Sequence, residues 1–120
     1  MELFHRFSIE AARRLPRLPP EHPCARLHGH SFHIEVRIAG ALDPAMGWVC
    51  DFALITAACA VLQRELDHRT LNDIAGLENP TSEHLAIWLW ARLQAPLPGL
   101  AEVRVQETAS AGCLYRGPGQ

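Results

Sequence analysis

Apolar and polar positions alternate twice in the first third of the chain. Residues 3–10 set Leu3, His5, Phe7 and Ile9 against Phe4, Arg6, Ser8 and Glu10, the period of two expected of a first strand. The same period returns over 28–38 and predicts a second strand at about 27–39. One face carries His28, His30, Phe32, Ile34, Val36 and Ile38, the other Gly29, Ser31, His33, Glu35 and Arg37. Pro16, Pro19, Pro20 and Pro23 make the connection over 14–24 stiff and irregular, and the stretch from Gly40 to Trp48 reads as a loop.

The period then changes. Phe52, Ile55, Cys59, Leu62 and Leu66 recur at helical spacing behind Asp51, a good N-cap, and predict a helix over 52–66. Thr81 can cap a second helix over 82–94, helped by Glu83 in its first turn. Its centre, Leu85 to Trp90, is apolar nearly all round, which predicts deep burial, with a neighbouring subunit as one candidate cover. Pro96, Pro98 and Gly99 end it. A third strand is expected at about 100–108 and, after a turn at Ser110–Ala111–Gly112, a short fourth at 113–116. The order strand, strand, helix, helix, strand, strand predicts an α+β domain, a four-stranded antiparallel sheet with both helices on one face. Such a sheet leaves edges that oligomerisation can cover.

A chain of 120 residues predicts one domain, 1–120. No stretch approaches the ~20 apolar residues of a membrane span, and Glu2, His5 and Arg6 interrupt any leader-like run at the start. The expected setting is cytoplasmic, where four cysteines without a CxxC pair stay free thiols. A net charge of −2 implies no general affinity for nucleic acid. Every basic residue other than histidine is arginine. Arg6, Arg13, Arg14, Arg17 and Arg26 cluster near the start, and guanidinium forks suit anionic substrates; genome composition explains the same bias without function.

Four places carry chemistry. His28 and His30 fall on one strand face about 7 Å apart at the backbone, within reach of one divalent cation, although two ordinary strand-end histidines would look the same. Cys24, just before them, can serve as a base or nucleophile or be an inert thiol. Asp67 beside His68 can orient an imidazole for proton transfer, as can any chance surface pair fail to do so. Glu107 is in phase with Val103 and Val105 on the core face of its strand, so it is either a paired acid that grips a ligand's N–H groups or a solvated strand end.

Together the segments Phe7 to Pro16, Cys24 to Phe32, Gly47 to Phe52, Leu66 to Glu83 and Glu107 to Arg116 resemble the 6-pyruvoyl-tetrahydropterin synthase family, above all its bacterial 6-carboxy-tetrahydropterin synthase branch of queuosine biosynthesis. The resemblance implies the tunnelling fold, in which sheets of several subunits form a barrel, commonly a hexamer of two trimers with active sites between subunits. It implies a lyase acting on dihydroneopterin triphosphate, releasing triphosphate and, in the queuosine branch, acetaldehyde. Cys24 matches the general base, Asp67 and His68 the relay, Glu107 the acid that anchors the pterin, and His28 and His30 two of three zinc ligands. No direct nucleic-acid or membrane contact is implied.

The chain departs from that pattern at one place. The family's third zinc ligand is a histidine in Ala-Ala-His-Arg-Leu-Pro, and here the stretch is Ala11-Ala12-Arg13-Arg14-Leu15-Pro16. Arginine has no lone pair to offer a metal. Three outcomes follow: a substitute ligand from His5, His22 or Cys24; weak binding through two histidines; or no metal, with Arg13 supplying positive charge to the substrate. Weak or absent zinc is the favoured expectation. Pyruvoyl-type synthase activity, a pterin-binding homologue without turnover and a small structural zinc protein are the competing functional readings.

Overall fold

The computed structural model describes residues 1–119. Four strands, β1 (Glu2–Arg13), β2 (His28–Ala39), β3 (Leu100–Gln106) and β4 (Gly112–Tyr115), form one sheet in the order β1-β2-β3-β4. Every pairing is antiparallel, so β1 and β4 are the edges. Helices α1 (Phe52–Leu66) and α2 (Ser82–Leu93) lie between β2 and β3 in sequence. Helix α1 packs on β1, and α2 packs on β3 and β4. This is the expected ββααββ arrangement.

The core is the apolar stripe of the strands closed by the helices. Ile9, Phe32, Ile34, Val36, Val103 and Val105 meet Ile55, Leu62, Leu66, Leu85, Leu89 and Leu93, all of them buried. Helix α1 starts where expected because the Asp51 carboxylate accepts from Ala53 N at 2.9 Å, and α2 starts behind Thr81, whose hydroxyl accepts from His84 N at 3.1 Å. Helix α2 is not buried all round: Leu85, Ala86, Leu89 and Leu93 face the sheet while Ile87 remains exposed. Strand β1 runs three residues beyond the predicted end, because Ala11, Ala12 and Arg13 pair with His30, Gly29 and His28. That extension carries position 13 to the strand-end histidines.

The sheet's uncovered face holds an ion cluster. Glu35, on the polar side of β2, is only 3% exposed. It accepts from Arg6 Nε at 2.7 Å and Arg37 Nε at 2.8 Å. Burial pulls its carboxyl upward, but the bonds from Arg37 and Arg6 outweigh that and hold it below the ordinary range. Glu102 joins through Arg37 Nε at 3.5 Å and also pairs with Arg116 at 3.0 Å. The N-terminal arginines therefore do not form one patch: Arg6 serves this outer cluster, whereas Arg13 points into the core face.

Gly112 fixes the β3–β4 turn. A Cβ there would sit 2.5 Å from the Val105 carbonyl oxygen and 2.9 Å from Gln106 Cα, so the two backbones can meet only without a side chain. The same turn secures Glu107, whose N–H donates to the Ala111 carbonyl at 3.1 Å. Replacing Gly112→Ala is expected to lower the unfolding free energy by about 1–3 kcal/mol, as overpacking does, with urea denaturation as the measurement.

Candidate active site

The end of the β1–β2 pair brings five side chains to the inward face. Arg13 and His28 are direct partners across the strands, and Ala11 partners His30. Phe32 follows on β2, one step deeper. The His28 and His30 rings meet edge to face with centroids 4.8 Å apart, and His30 lies 5.4 Å from the Phe32 ring. The Arg13 guanidinium stacks over that same phenyl ring at 5.0 Å.

Arg13 is 2% exposed. Its Nη1 donates to the Pro80 carbonyl at 3.0 Å and its Nη2 to Glu107 Oε2 at 2.8 Å. The other Glu107 oxygen accepts from the Ser82 hydroxyl at 2.6 Å. Nη1 and Nη2 are thus engaged inside the chain and Nε is buried without a partner, so the guanidinium is closed off from solvent rather than presented to an anionic substrate. Glu107, by contrast, keeps 27% of its side chain exposed. Burial pulls its carboxyl upward, but the Ser82 bond and the positive Arg13 outweigh it and hold the group below its ordinary value. It is thus a paired, ionised acid one residue past the end of β3, the first of the two alternatives its phase left open. A carboxylate has about four acceptor sites, so two engaged donors still leave capacity for a ligand.

Burial, then the charge on Arg13 and the neighbouring His28, push the His30 imidazole below its usual value, against a smaller opposite pull from Glu107. His30 is shared by two clefts. One, of about 480 Å³, is walled by His30, His33, Gln106, Glu107 and Thr108. The second, of about 430 Å³, is walled by Glu10, Ala12, His30, His68 and Thr70. The expected acid and the expected relay thus flank the same imidazole from opposite sides.

Asp67 caps the C-terminus of α1 and does face its neighbour. Its Oδ2 accepts from His68 Nδ1 at 2.8 Å, and its Oδ1 accepts from Glu10 N at 2.8 Å. The Glu10 N–H and then the His68 ring hold the Asp67 carboxyl below its usual value. His68 has φ +58°, in the left-handed region that non-glycine residues seldom adopt, and its N–H donates to the Glu10 carbonyl at 2.6 Å. Backbone strain held in place by strand β1 presents the ring, which is 79% exposed. Cys24 sits in a short 3-10 turn, Pro23–Ala25, half-buried. It lines neither cleft.

The donors do not fit zinc. His28 is set as a ligand would be, with Nδ1 2.7 Å from the Arg26 carbonyl and Nε2 buried without a partner. A catalytic zinc takes three protein ligands, and among the described residues no cluster of three His, Cys, Asp or Glu is placed to hold a metal. The substitutes considered from the sequence do not close the gap. His5 is opposite Val36, about 26 Å along the strand from position 13, and neither His22 nor Cys24 forms a three-donor group with His28 and His30. Ser82 and the Pro80 carbonyl were not foreseen. Nothing in a single sequence marks a serine one residue past an N-cap as the partner of an acid on a distant strand.

Residues 2–118 match the family model described as 6-pyruvoyl tetrahydropterin synthase. The chain is 41% identical over 122 residues to a 6-carboxy-5,6,7,8-tetrahydropterin synthase of Synechocystis, covering 97% of this chain and 93% of that protein. It is also 41% identical over 73 residues to a dihydroneopterin monophosphate aldolase of Pyrococcus furiosus, covering 61% of this chain and 60% of that one. The solved structure of Caenorhabditis elegans 6-pyruvoyl tetrahydropterin synthase superposes with a TM-score of 0.90 at 27% identity, covering 98% of this chain and 95% of that one.

The Arg13–Glu107 pair makes a pH-dependent contribution to stability. Because the folded Glu107 pKa lies below the ordinary 4.5, that contribution is complete above about pH 4.5 and is lost as pH falls through the lower folded value. Glu107→Gln is expected to cost about 1–3 kcal/mol at pH 7, since it leaves a buried guanidinium without its charged acceptor. Urea denaturation across pH 7 to 3 should show wild type losing more stability on the acid side than the variant does.

Proposed function

Because the chain belongs to the 6-pyruvoyl tetrahydropterin synthase family, we propose that it is a lyase that converts 7,8-dihydroneopterin triphosphate and one water to 6-carboxy-5,6,7,8-tetrahydropterin, acetaldehyde and triphosphate, the reaction type of queuosine biosynthesis. The Synechocystis relative, similar over almost the full length of both chains, supports this product over the pyruvoyl one. The observation that carries a pterin substrate is Glu107. It is ionised, held by Arg13 and Ser82, and still exposed in a cleft wall beside His30. A carboxylate so held accepts the paired N–H donors of a pterin's guanidine-like edge.

In this proposal His68 moves protons. Asp67 engages Nδ1–H, which leaves Nε2 as the acceptor facing solvent. Cys24 is the general base. It lines neither cleft of its own chain, and the free edges β1 and β4 support an oligomer, a homohexamer in the resemblance, in which a neighbouring copy completes the cleft. Four free cysteines fit a cytoplasmic setting, and no helix among the described residues is long and apolar enough to cross a membrane. No step is assigned to zinc, because the donor set lacks its third ligand.

A second reading has one observation in its favour. With Arg13 in the third ligand's place, the chain would bind pterins through Glu107 and release no product. Incubation with 7,8-dihydroneopterin triphosphate, followed by identification of the pterin and of acetaldehyde, separates the readings. The lyase yields both; a pyruvoyl-type synthase yields no acetaldehyde; a binding protein returns the substrate unchanged. Cys24→Ala is expected to reduce turnover by about 10²–10⁴, the usual contribution of a positioned base, while pterin binding measured by fluorescence stays near wild type.

A further inference from the structure

We infer that the Arg13 guanidinium stands in the place of the metal and that this site holds its pterin without a divalent cation. The inference rests on the pterin-binding reading above and concerns how that ligand is held.

Register fixes where a third donor would have to be. Position 13 is the cross-strand partner of His28 on the inward face, so its side chain starts about 5 Å from that of His28. A long, flexible side chain at a strand end could turn to solvent and leave the place open. Arg13 does not. It is buried to 2% exposure, lies over Phe32 at 5.0 Å, and is held by the Pro80 carbonyl and Glu107. To admit a cation the guanidinium would have to leave all three, and a buried charge stripped of its partners is costly. If it stayed, two positive groups would share the space beside His28 and His30.

The exchange also changes what the site can recognise. In the resemblance, zinc grips the hydroxyls of the pterin side chain. Here the positive charge is fixed to the chain and already neutralised by Glu107, so Arg13 and Glu107 together offer a ligand one held carboxylate and no chelating ion. Recognition then falls on the ring's N–H edge, and hydroxyls on the side chain contribute little. The ring is thus the part of the ligand that the site reads, and side-chain hydroxyls, where present, add little affinity.

The test is metal analysis of the purified wild-type chain after equilibration with zinc, alongside fluorescence titration with neopterin and with 6-methylpterin, each with and without chelator. Wild type is expected to retain less than about 0.1 zinc per chain. Its affinities for the two pterins should agree within about threefold, below the gain from one extra hydrogen bond, and should not respond to chelator. Arg13→His should take up about one zinc per chain and then favour neopterin by about tenfold or more. About one zinc per wild-type chain, or a tenfold loss of neopterin affinity on chelation, overturns the inference. If neither pterin binds, the functional reading fails, and the zinc content of the wild-type chain, which needs no variant to fold, still decides whether Arg13 keeps metal out.

Discussion

The ion pair between the buried Arg13 and the half-buried Glu107 joins three parts of the chain that share no secondary structure. Arg13 ends β1, Glu107 follows β3, and the remaining contacts reach the loop at Pro80 and the first residue of α2, Ser82. Water cannot reach this guanidinium, so Nη1 and Nη2 depend on their partners, which hold one another in place, while Nε is left without one. Everything at this end of the sheet follows: the tilt of the Glu107 carboxylate, the stacking over Phe32 and the space left to His28 and His30. Buried pairs of this kind often contribute little net stability against an apolar alternative. What they do well is fix one arrangement, which a recognition site requires.

His30 lies between the groups proposed for recognition and for proton transfer. Its ring lies in the walls of both clefts, with Glu107 on one side and His68 on the other. The relay is held by main-chain contacts: Glu10 N–H on Asp67, and the Glu10 carbonyl on the strained backbone of His68. A single residue of β1 therefore aligns both members of the pair. The same strand, three residues on, carries Arg13. Strand β1 is less a wall of the sheet than the ruler against which the candidate catalytic groups are set.

Much of this was legible from periodicity and caps. Helix α1 spans Phe52–Leu66 as expected because Asp51 starts it and its apolar spacing leaves one face to the sheet. Glu107 was identifiable as an inward acid from its phase with Val103 and Val105. Its partner was not, because the 94 residues that separate it from Arg13 carry no local signal of that contact. Strand β1 was read short because Ala11 and Ala12 have little strand propensity and are held by pairing with β2 alone. The departure at position 13 could be seen in the sequence, but its outcome depended on burial. A solvent-facing arginine and an inward one are written with the same letter.

The ion cluster on the open face of the sheet has a consequence for folding. A slip of one residue between β1 and β2 would turn the stripe of Phe32, Ile34 and Val36 outward and bring Glu35 and Arg37 beneath the helices. The mispaired chain would lose its apolar contacts and also strand ionised groups in an oily interior. Because Glu35 meets Arg6 across the strands only in the native alignment, the two faces of the sheet proofread each other during assembly.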